Sequence, residues 1–492
     1  MPMALFGTNG VRGKLDLLTP QLSFSLAASF GSFSKGGRVC LARDMRITSP
    51  MLHSAALSGL LSSGRDVLDL GLCSSPVAEF SLANHRASGL IIVTASHNAP
   101  EWNALKFVDG NGVAISRERG EAIEKAALLQ GAGGVTFDGM AGKAPKQPGA
   151  IGVPMAKAGR AKKQGKAGQR AFPKQPGRII PCPGASEQHA HAVLKFVNFE
   201  KIRKRKLKLA LDFGNGTSAL SREVFERLGC EIIAMNEKID GTFPGRPSEP
   251  SEQNVQQLCA LAREESCDFG VAWDGDSDRV VFVDERGKWI VGDKGFAISA
   301  LAACKERRSQ KEKFVVTTVA TSRAAEEACA EFGARAVYTA VGAPYLSEKV
   351  FELGSRAVSG GEEVGGIIWP RFSLAKDGIL AAAKIAELAC ENGLSALVSE
   401  LPEYFNSKAK LEASSQEAKK RALLAARKHA EGGKGKVTTV DGVRADFDDS
   451  WAIVRASGTE NYMRIFAEGK TQARAEALLS EYQEVVRASL ES

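Results

Sequence analysis

The chain has 492 residues, yet no uninterrupted apolar run approaches the ~18 residues that a membrane span requires. Its opening, Met-Pro-Met-Ala-Leu-Phe-Gly, lacks the charged-then-apolar layout of a secretory leader. Both absences point to a cytoplasmic protein with no membrane partner. Cysteine occurs nine times, at 40, 73, 182, 230, 259, 267, 304, 329 and 390, but never as Cys-x-x-Cys, which argues against zinc and dithiol redox chemistry. The thiols read as reduced core filler. What is present is an ordinary globular composition, 44% hydrophobic and 25% charged, on a chain too long for one core. The length predicts about three or four domains.

The net charge of +8 is local. Residues 139–178 hold ten Lys or Arg and no acid, which leaves the rest of the chain at −2 (8 − 10). This segment is rich in Gly, Pro, Ala and Lys and has no apolar periodicity, so it is expected to be mobile or disordered. It reads as a solubilising tail or as an arm for RNA or another polyanion. Clustered cations without aromatics give only salt-sensitive, non-specific contacts, and catalysis does not need them.

Elsewhere strand and helix patterns alternate. Arg38–Arg43 is followed by a helix opened by Ser49-Pro50, which has the form of an N-cap with proline at the first helical position, and the pattern repeats with strand Val67–Leu72, a helix opened by Ser75-Pro76, and strand Leu90–Val93. The alternation resumes with Leu207–Asp212, a helix near Thr217, Glu231–Ala234, a helix within 252–265, and Phe269–Trp273. A third round has Phe314–Val319, a helix from Ser322, Ala336–Thr339 and a helix from Asp377. Such alternation predicts α/β layers. From about 410 a helix in 415–430 precedes the runs Lys436–Val440, Trp451–Val454 and Met463–Ala467, and a closing helix starts at Thr471. This part reads as a smaller antiparallel α+β domain.

Ligands gather at the C-terminal ends of strands in open α/β sheets, and each round delivers one unusual loop there. The first is Thr94-Ala95-Ser96-His97-Asn98. The second places Asp274, Asp276 and Asp278 at alternate positions before Arg279, a spacing that aims carboxylates at one point and suits a hard cation such as Mg²⁺. An EF-hand is excluded because Arg279 occupies the sixth position, where the calcium loop needs glycine, and Val280–Val283 reads as a strand. The third, Gly360-Gly361-Glu362-Glu363-Val364-Gly365-Gly366, offers acceptors for ligand hydroxyls, or else the acidic first turn of a helix. The smaller domain adds Arg455-Ala456-Ser457-Gly458-Thr459-Glu460-Asn461 with Arg464 beyond, a fork and backbone nest suited to phosphate.

Together these loops describe a cation site, a phosphate nest, hydroxyl acceptors and a serine. A serine beside a divalent cation can carry a phosphoryl group, so Ser96 is the candidate nucleophile and also a metal-side ligand. A Ser-His-Asp hydrolase is disfavoured: Ser96 and His97, adjacent at a strand end, should point apart, and no Gly-x-Ser-x-Gly elbow surrounds the serine. His97 is expected to orient the loop. Ser96 as a helix cap is opposed by Pro100.

Five segments, in order, resemble the α-D-phosphohexomutases, the family of phosphoglucomutase, phosphomannomutase and phosphoglucosamine mutase. They are Phe6-Gly7-Thr8-Asn9-Gly10-Val11-Arg12-Gly13, Thr94–Asn98, Asp274-Gly275-Asp276-Ser277-Asp278-Arg279, Gly361–Gly366 and Arg455–Glu460. Their wording looks most like the phosphoglucosamine mutase and archaeal branches. The resemblance implies four domains around a central cleft: a phosphoserine domain over 1–200, a metal-binding domain over 201–295, a sugar-binding domain over 296–408 and a phosphate-binding domain over 409–492. It implies Mg²⁺ on Ser96, Asp274, Asp276 and Asp278, with Ser96 phosphorylated at rest. Phospho-Ser96 would pass its group to a hexose phosphate and form a bisphosphate, so a hexose 1,6-bisphosphate is the expected activator. Arg12 and Lys106 match positions beside the reacting phosphate, where they would offset charge and assist proton transfer. Arg279, Glu362, Val364, Arg455, Ser457, Gly458, Thr459 and Arg464 match substrate contacts.

The chain departs from the family pattern in the third domain. Many bacterial members have Ser-Gly-His where Val364-Gly365-Gly366 stands and a histidine after Val341-Gly342; this chain has Ala343 there. Ala99 replaces a usual proline. The expected activity is interconversion of hexose 6- and 1-phosphates, glucosamine phosphate first. Phosphomannomutase, phosphoglucomutase or phosphopentomutase activity, and a weakly catalytic sugar-phosphate sensor tethered through 139–178, are the alternatives. A monomer or homodimer is expected.

Overall fold

The structure is a computed structural model and describes residues 5–34, 36–131, 175–457 and 461–491. The expectations for 139–178 fall outside the described residues as far as 174.

Three mixed sheets repeat one device. In the seven-stranded sheet the order is Phe6–Gly7, Gly10–Gly13, Asn103–Asp109, Gly89–Val93, Val39–Arg43, Val67–Leu72, Ile179–Pro181. Gly89–Val93 runs parallel to Val39–Arg43 on one side and antiparallel to Asn103–Asp109 on the other. The second sheet has the order Trp289–Ile290, Val280–Val283, Phe269–Trp273, Lys208–Asp212, Glu231–Met235. The third has Ala334–Thr339, Lys313–Thr318, Ala357–Gly361, Ile367–Ile368. Again one strand, Phe269–Trp273 or Ala357–Gly361, is parallel to one neighbour and antiparallel to the strand that follows it. All three strands are buried along their whole length, as uninterrupted apolar or glycine-rich runs covered by helices on both faces should be. Each of the three candidate loops is therefore the turn between a buried strand and an antiparallel return strand, tied at both ends.

The C-terminal sheet is antiparallel throughout, in the order Phe405–Glu412, Tyr462–Gly469, Ser450–Ala456, Val443–Asp446, Lys436–Thr438. Phe405–Glu412 alternates half-buried and exposed positions, the mark of a sheet covered on one face. Ala422 and Ala426 of helix Gln416–Gly432 and Leu478 and Tyr482 of helix Gln472–Glu491 supply that cover.

Three expectations are corrected. The helices at Ser49-Pro50 and Ser75-Pro76 are flanked by Thr48 and Ser74 as N-caps, one residue earlier. Ser74 accepts from Val77 N, which leaves Ser75 to hydrogen-bond elsewhere. The Gly-Gly-Glu-Glu segment starts no helix, because its glycines belong to strand Ala357–Gly361 and the glutamates form the turn to Ile367–Ile368. Ser96 and His97 do not point apart: Ser96 adopts φ 53°, which breaks strand alternation and leaves its Oγ 3.3 Å from His97 Nδ1.

Candidate active site

The first and second loops meet at Ser96. Its Oγ donates to Asp274 Oδ2 at 2.5 Å, and the residue is only 3% exposed. Asp274, Asp276 and Asp278 are buried, and one oxygen from each lies within 4.8 Å of the others. Gly275 makes this approach possible, since a Cβ there would stand 2.8 Å from the Ser96 carbonyl oxygen.

Around the triad are cations and hydroxyls. Lys106, on the return strand Asn103–Asp109, donates to Asp276 Oδ2 at 2.7 Å and lies 3.4 Å from Asp278 Oδ2. Ser75 Oγ and Thr94 Oγ1 also donate to Asp276 Oδ2, at 2.7 and 3.1 Å. Lys376 bridges Glu362 Oε1 at 2.7 Å and Asp278 Oδ2 at 3.4 Å, which joins the third loop to the second. The loops also join through backbone: Val280 N donates to Gly365 O, and Gly365, at φ +88°, comes so close that a Cβ would meet Val280 O at 2.2 Å. Arg279 pairs with Glu249 at 3.1 Å, and Arg12 Nη1 donates to Asn98 Oδ1 at 2.5 Å. Val364 sits half-buried at the tip of its turn.

Electrostatics separate the roles. Burial, followed by the charges of Asp276 and Asp278, pushes the Asp274 carboxyl well above the carboxylate range. The Lys106 ammonium stays charged, because the two carboxylates beside it more than offset the cost of burial. It can donate a proton or a hydrogen bond but is a poor base. For His97, burial and then Arg279 and Arg12 drive protonation far down, so its imidazole is neutral and able to accept. Asp276 Oδ1 and Asp278 Oδ1 are buried with no hydrogen-bond partner among the described residues. Orphaned carboxylate oxygens converging with a hydroxyl fit a hard divalent cation.

The C-terminal group forms a separate cluster. Arg455 and Arg464 stand directly opposite on paired strands. Arg455 pairs with Asp441, whose other contact is Val341 N of the third sheet's side. Lys419 Nζ donates to Ser457 O at 2.9 Å. Gly458 and Thr459 lie outside the described residues. No hydrogen bond or ion pair among the described residues joins Arg455 to the aspartate triad.

Sequence reasoning missed Ser75, Lys376, Glu249 and Glu79. Ser75 and Lys376 carried no local signal beyond a Ser-Pro helix start and a lysine before a helix cap. Glu79, one helical turn beyond Ser75, lines a cavity of about 10 Å³ with Lys106, Asp278 and Lys376. Burial raises its carboxyl to about 8 despite the pull of both ammoniums. The folded chain thus holds this proton more tightly than the unfolded chain, for which the ordinary value is 4.5. Stability attributable to Glu79 is complete at low pH and is lost as pH rises from about 4.5 to 8. Because the residue is only half-buried, the expected loss is on the order of 2 kcal/mol. Glu79→Gln should flatten that stretch of the pH–stability curve, measured by denaturant unfolding; an unchanged slope would show that the carboxyl titrates normally.

Profiles of phosphoglucomutase/phosphomannomutase alpha/beta/alpha domains I, II and III match residues 3–130, 187–287 and 291–405, and that of the C-terminal domain matches 406–485. A phosphoglucomutase/phosphomannomutase of Thermococcus kodakarensis is 34% identical over 485 residues, 96% of each chain. A probable phosphoglucosamine mutase of Methanopyrus kandleri is 32% identical over 492 residues, 99% of this chain and 98% of its own. The crystal structure of a phosphoglucomutase/phosphomannomutase family protein from Burkholderia thailandensis has a TM-score of 0.80 at 23% identity, covering 99% of this chain and 97% of that one. Four α/β and α+β domains with a serine set against buried aspartates define a phosphoryl-transfer enzyme. The chain belongs to the phosphoglucomutase/phosphomannomutase family, the α-D-phosphohexomutases, and is a hexose-phosphate mutase. Among the described residues no helix is long and apolar enough to cross a membrane.

Proposed function

We propose that the chain interconverts glucosamine 6-phosphate and glucosamine 1-phosphate through phospho-Ser96 and a hexose bisphosphate. The observation that carries this reading is the 2.5 Å contact of Ser96 Oγ with Asp274 inside a buried carboxylate triad. Mg²⁺ would be held by Asp274, Asp276, Asp278 and the Ser96 side chain, and when bound it neutralises charge on the transferring phosphoryl oxygens.

Ser96 carries the phosphoryl group. Arg12 and Arg279, held by Asn98 and Glu249, would offset the charge of that group, and Lys106, held charged, would donate to its oxygens or to the departing hydroxyl. Neutral His97 orients the serine and can accept from it. Glu362, positioned by Lys376, has one carboxylate oxygen left for sugar hydroxyls, whereas the Val364 side chain contributes no donor. Arg455, Ser457 and Arg464, with Gly458 and Thr459, would hold the phosphate that is not reacting. Because that nest accepts either end of the sugar, the bisphosphate can reorient and return its other phosphate to Ser96. A hexose 1,6-bisphosphate would then restore the phosphoenzyme, as an activator does. We take the four sheets as the cores of four domains, with limits near 200, 295 and 408.

Glucosamine is placed first because relatives such as that of Methanopyrus kandleri are named for it. The Thermococcus kodakarensis relative, named for glucose and mannose, is the reason for a direct comparison. A coupled assay of glucosamine, glucose and mannose 1-phosphates, with Mg²⁺ and glucose 1,6-bisphosphate, should give the highest kcat/KM for glucosamine 1-phosphate, by about tenfold or more. A higher value for mannose or glucose 1-phosphate would reassign the substrate.

A further inference from the structure

The Ser96 loop, 94–102, carries its nucleophile at φ 53°, a left-handed conformation that a serine does not adopt without support. The support comes from a side chain 50 residues earlier. Arg46 follows strand Val39–Arg43 and is 0% exposed. Its Nη2 donates to Ser96 O at 2.8 Å and Asn98 O at 2.7 Å. Its Nη1 donates to Ala99 O at 2.5 Å and Trp102 O at 3.1 Å. Nε donates to Asp44 Oδ2 at 3.0 Å, so every N–H of the guanidinium is used. On its other side the Ser96 carbonyl accepts from Ser248 Oγ at 3.0 Å, and the same hydroxyl accepts from Gly275 N at 3.0 Å. Phe243, from the same loop region as Ser248, lies with its ring centroid 5.1 Å from the Arg46 guanidinium carbon.

We infer that Arg46 and Ser248 are positioning residues for phosphoryl transfer. Arg46 gathers four carbonyls of the loop and fixes the turn that aims Ser96 Oγ, and Ser248 ties that turn to the backbone of the aspartate loop. The inference rests on Ser96 being the phosphoryl carrier. Neither side chain reaches the sugar contacts at Glu362 or Arg455, so their loss should act on the rate of transfer and not on sugar binding. Lysine cannot replace Arg46, because one ammonium with three donors cannot span four carbonyls and a carboxylate.

The test uses the full chain with Mg²⁺ and glucose 1,6-bisphosphate. Arg46→Lys should lower kcat about 100-fold, and Ser248→Ala about tenfold, with KM for the hexose 1-phosphate changed less than about threefold. Phosphorylation of Ser96 by the bisphosphate, followed by intact mass, should slow by the same factors in folded protein. If Arg46→Lys does not fold, Ser248→Ala, which removes one hydroxyl, decides alone. Wild-type kcat and phosphorylation rate in the folded variants would overturn the inference, as would a loss confined to KM. Ser96→Ala separates the two levels: if it too keeps turnover, the nucleophile assignment has failed, and if it is inactive while Ser248→Ala is normal, only the positioning role has failed.

Discussion

Ser96→Ala is expected to lower mutase turnover by roughly 10⁴-fold or more, because it removes the atom proposed to carry the phosphoryl group between two chemical steps. Intact mass should find one phosphate on the native chain and none on the variant. Folding should be little affected. The Oγ contributes a hydrogen bond to Asp274 and stands beside His97, while the loop itself is held through its backbone by Arg46 and Ser248. Full turnover in the variant would refute the assignment and move attention to the neighbouring hydroxyl of Thr94, which already donates to Asp276.

Asp274→Asn should separate activity from stability. Three buried carboxylates whose oxygens lie within 4.8 Å repel one another, and at an effective dielectric constant near 20 each pair costs on the order of 3 kcal/mol. Lys106 and Lys376 offset part of this from Asp276 and Asp278. Among the described residues Asp274 has no lysine partner, which is why its charge is the least tolerated of the three. Asparagine keeps its shape and can still face Ser96 and Arg279 N, so without metal the variant should unfold at a higher temperature than the wild type. Turnover should nevertheless fall about 10³-fold. Mg²⁺ at a hundred times its Kd should stabilise the wild type by about 2.7 kcal/mol and the variant much less. Thermal unfolding with EDTA and with Mg²⁺, alongside the coupled rate, reads all three effects. An equal Mg²⁺ shift in both proteins would place the cation elsewhere.

Two strands read most clearly from the chain, one buried along its whole length and one only in part. Val67–Leu72 and Phe269–Trp273 have the predicted limits, because an apolar run bounded by turn residues leaves few alternatives. The return strands were harder. Asn103–Asp109 carries Lys106 and two other polar residues among apolar ones, and Ile367–Ile368 is only two residues long. Their pairing is stabilised by neighbours and not by their own composition. The cap positions slipped by one residue for a related reason: Ser49 and Ser75 spend their hydroxyls on Asp44 and Asp276, contacts that no local rule contains.

Motif spacing by itself pointed to phosphate, a hard cation and a polar ligand, since alternate aspartates, an Arg-x-Ser-Gly-Thr turn and a glycine-flanked pair of glutamates are suited to those chemistries where a fold gathers them. It could not say which side chains share a charge. Asp276 lies 170 residues from Lys106 and 201 from Ser75, and the Ser96 carbonyl lies 152 residues from Ser248. These partnerships exist only because the first and second sheets bring their strand-end loops together. Whether an ammonium is held charged, an imidazole neutral or a serine turned toward a carboxylate depends on distances and desolvation that arise only in that packing.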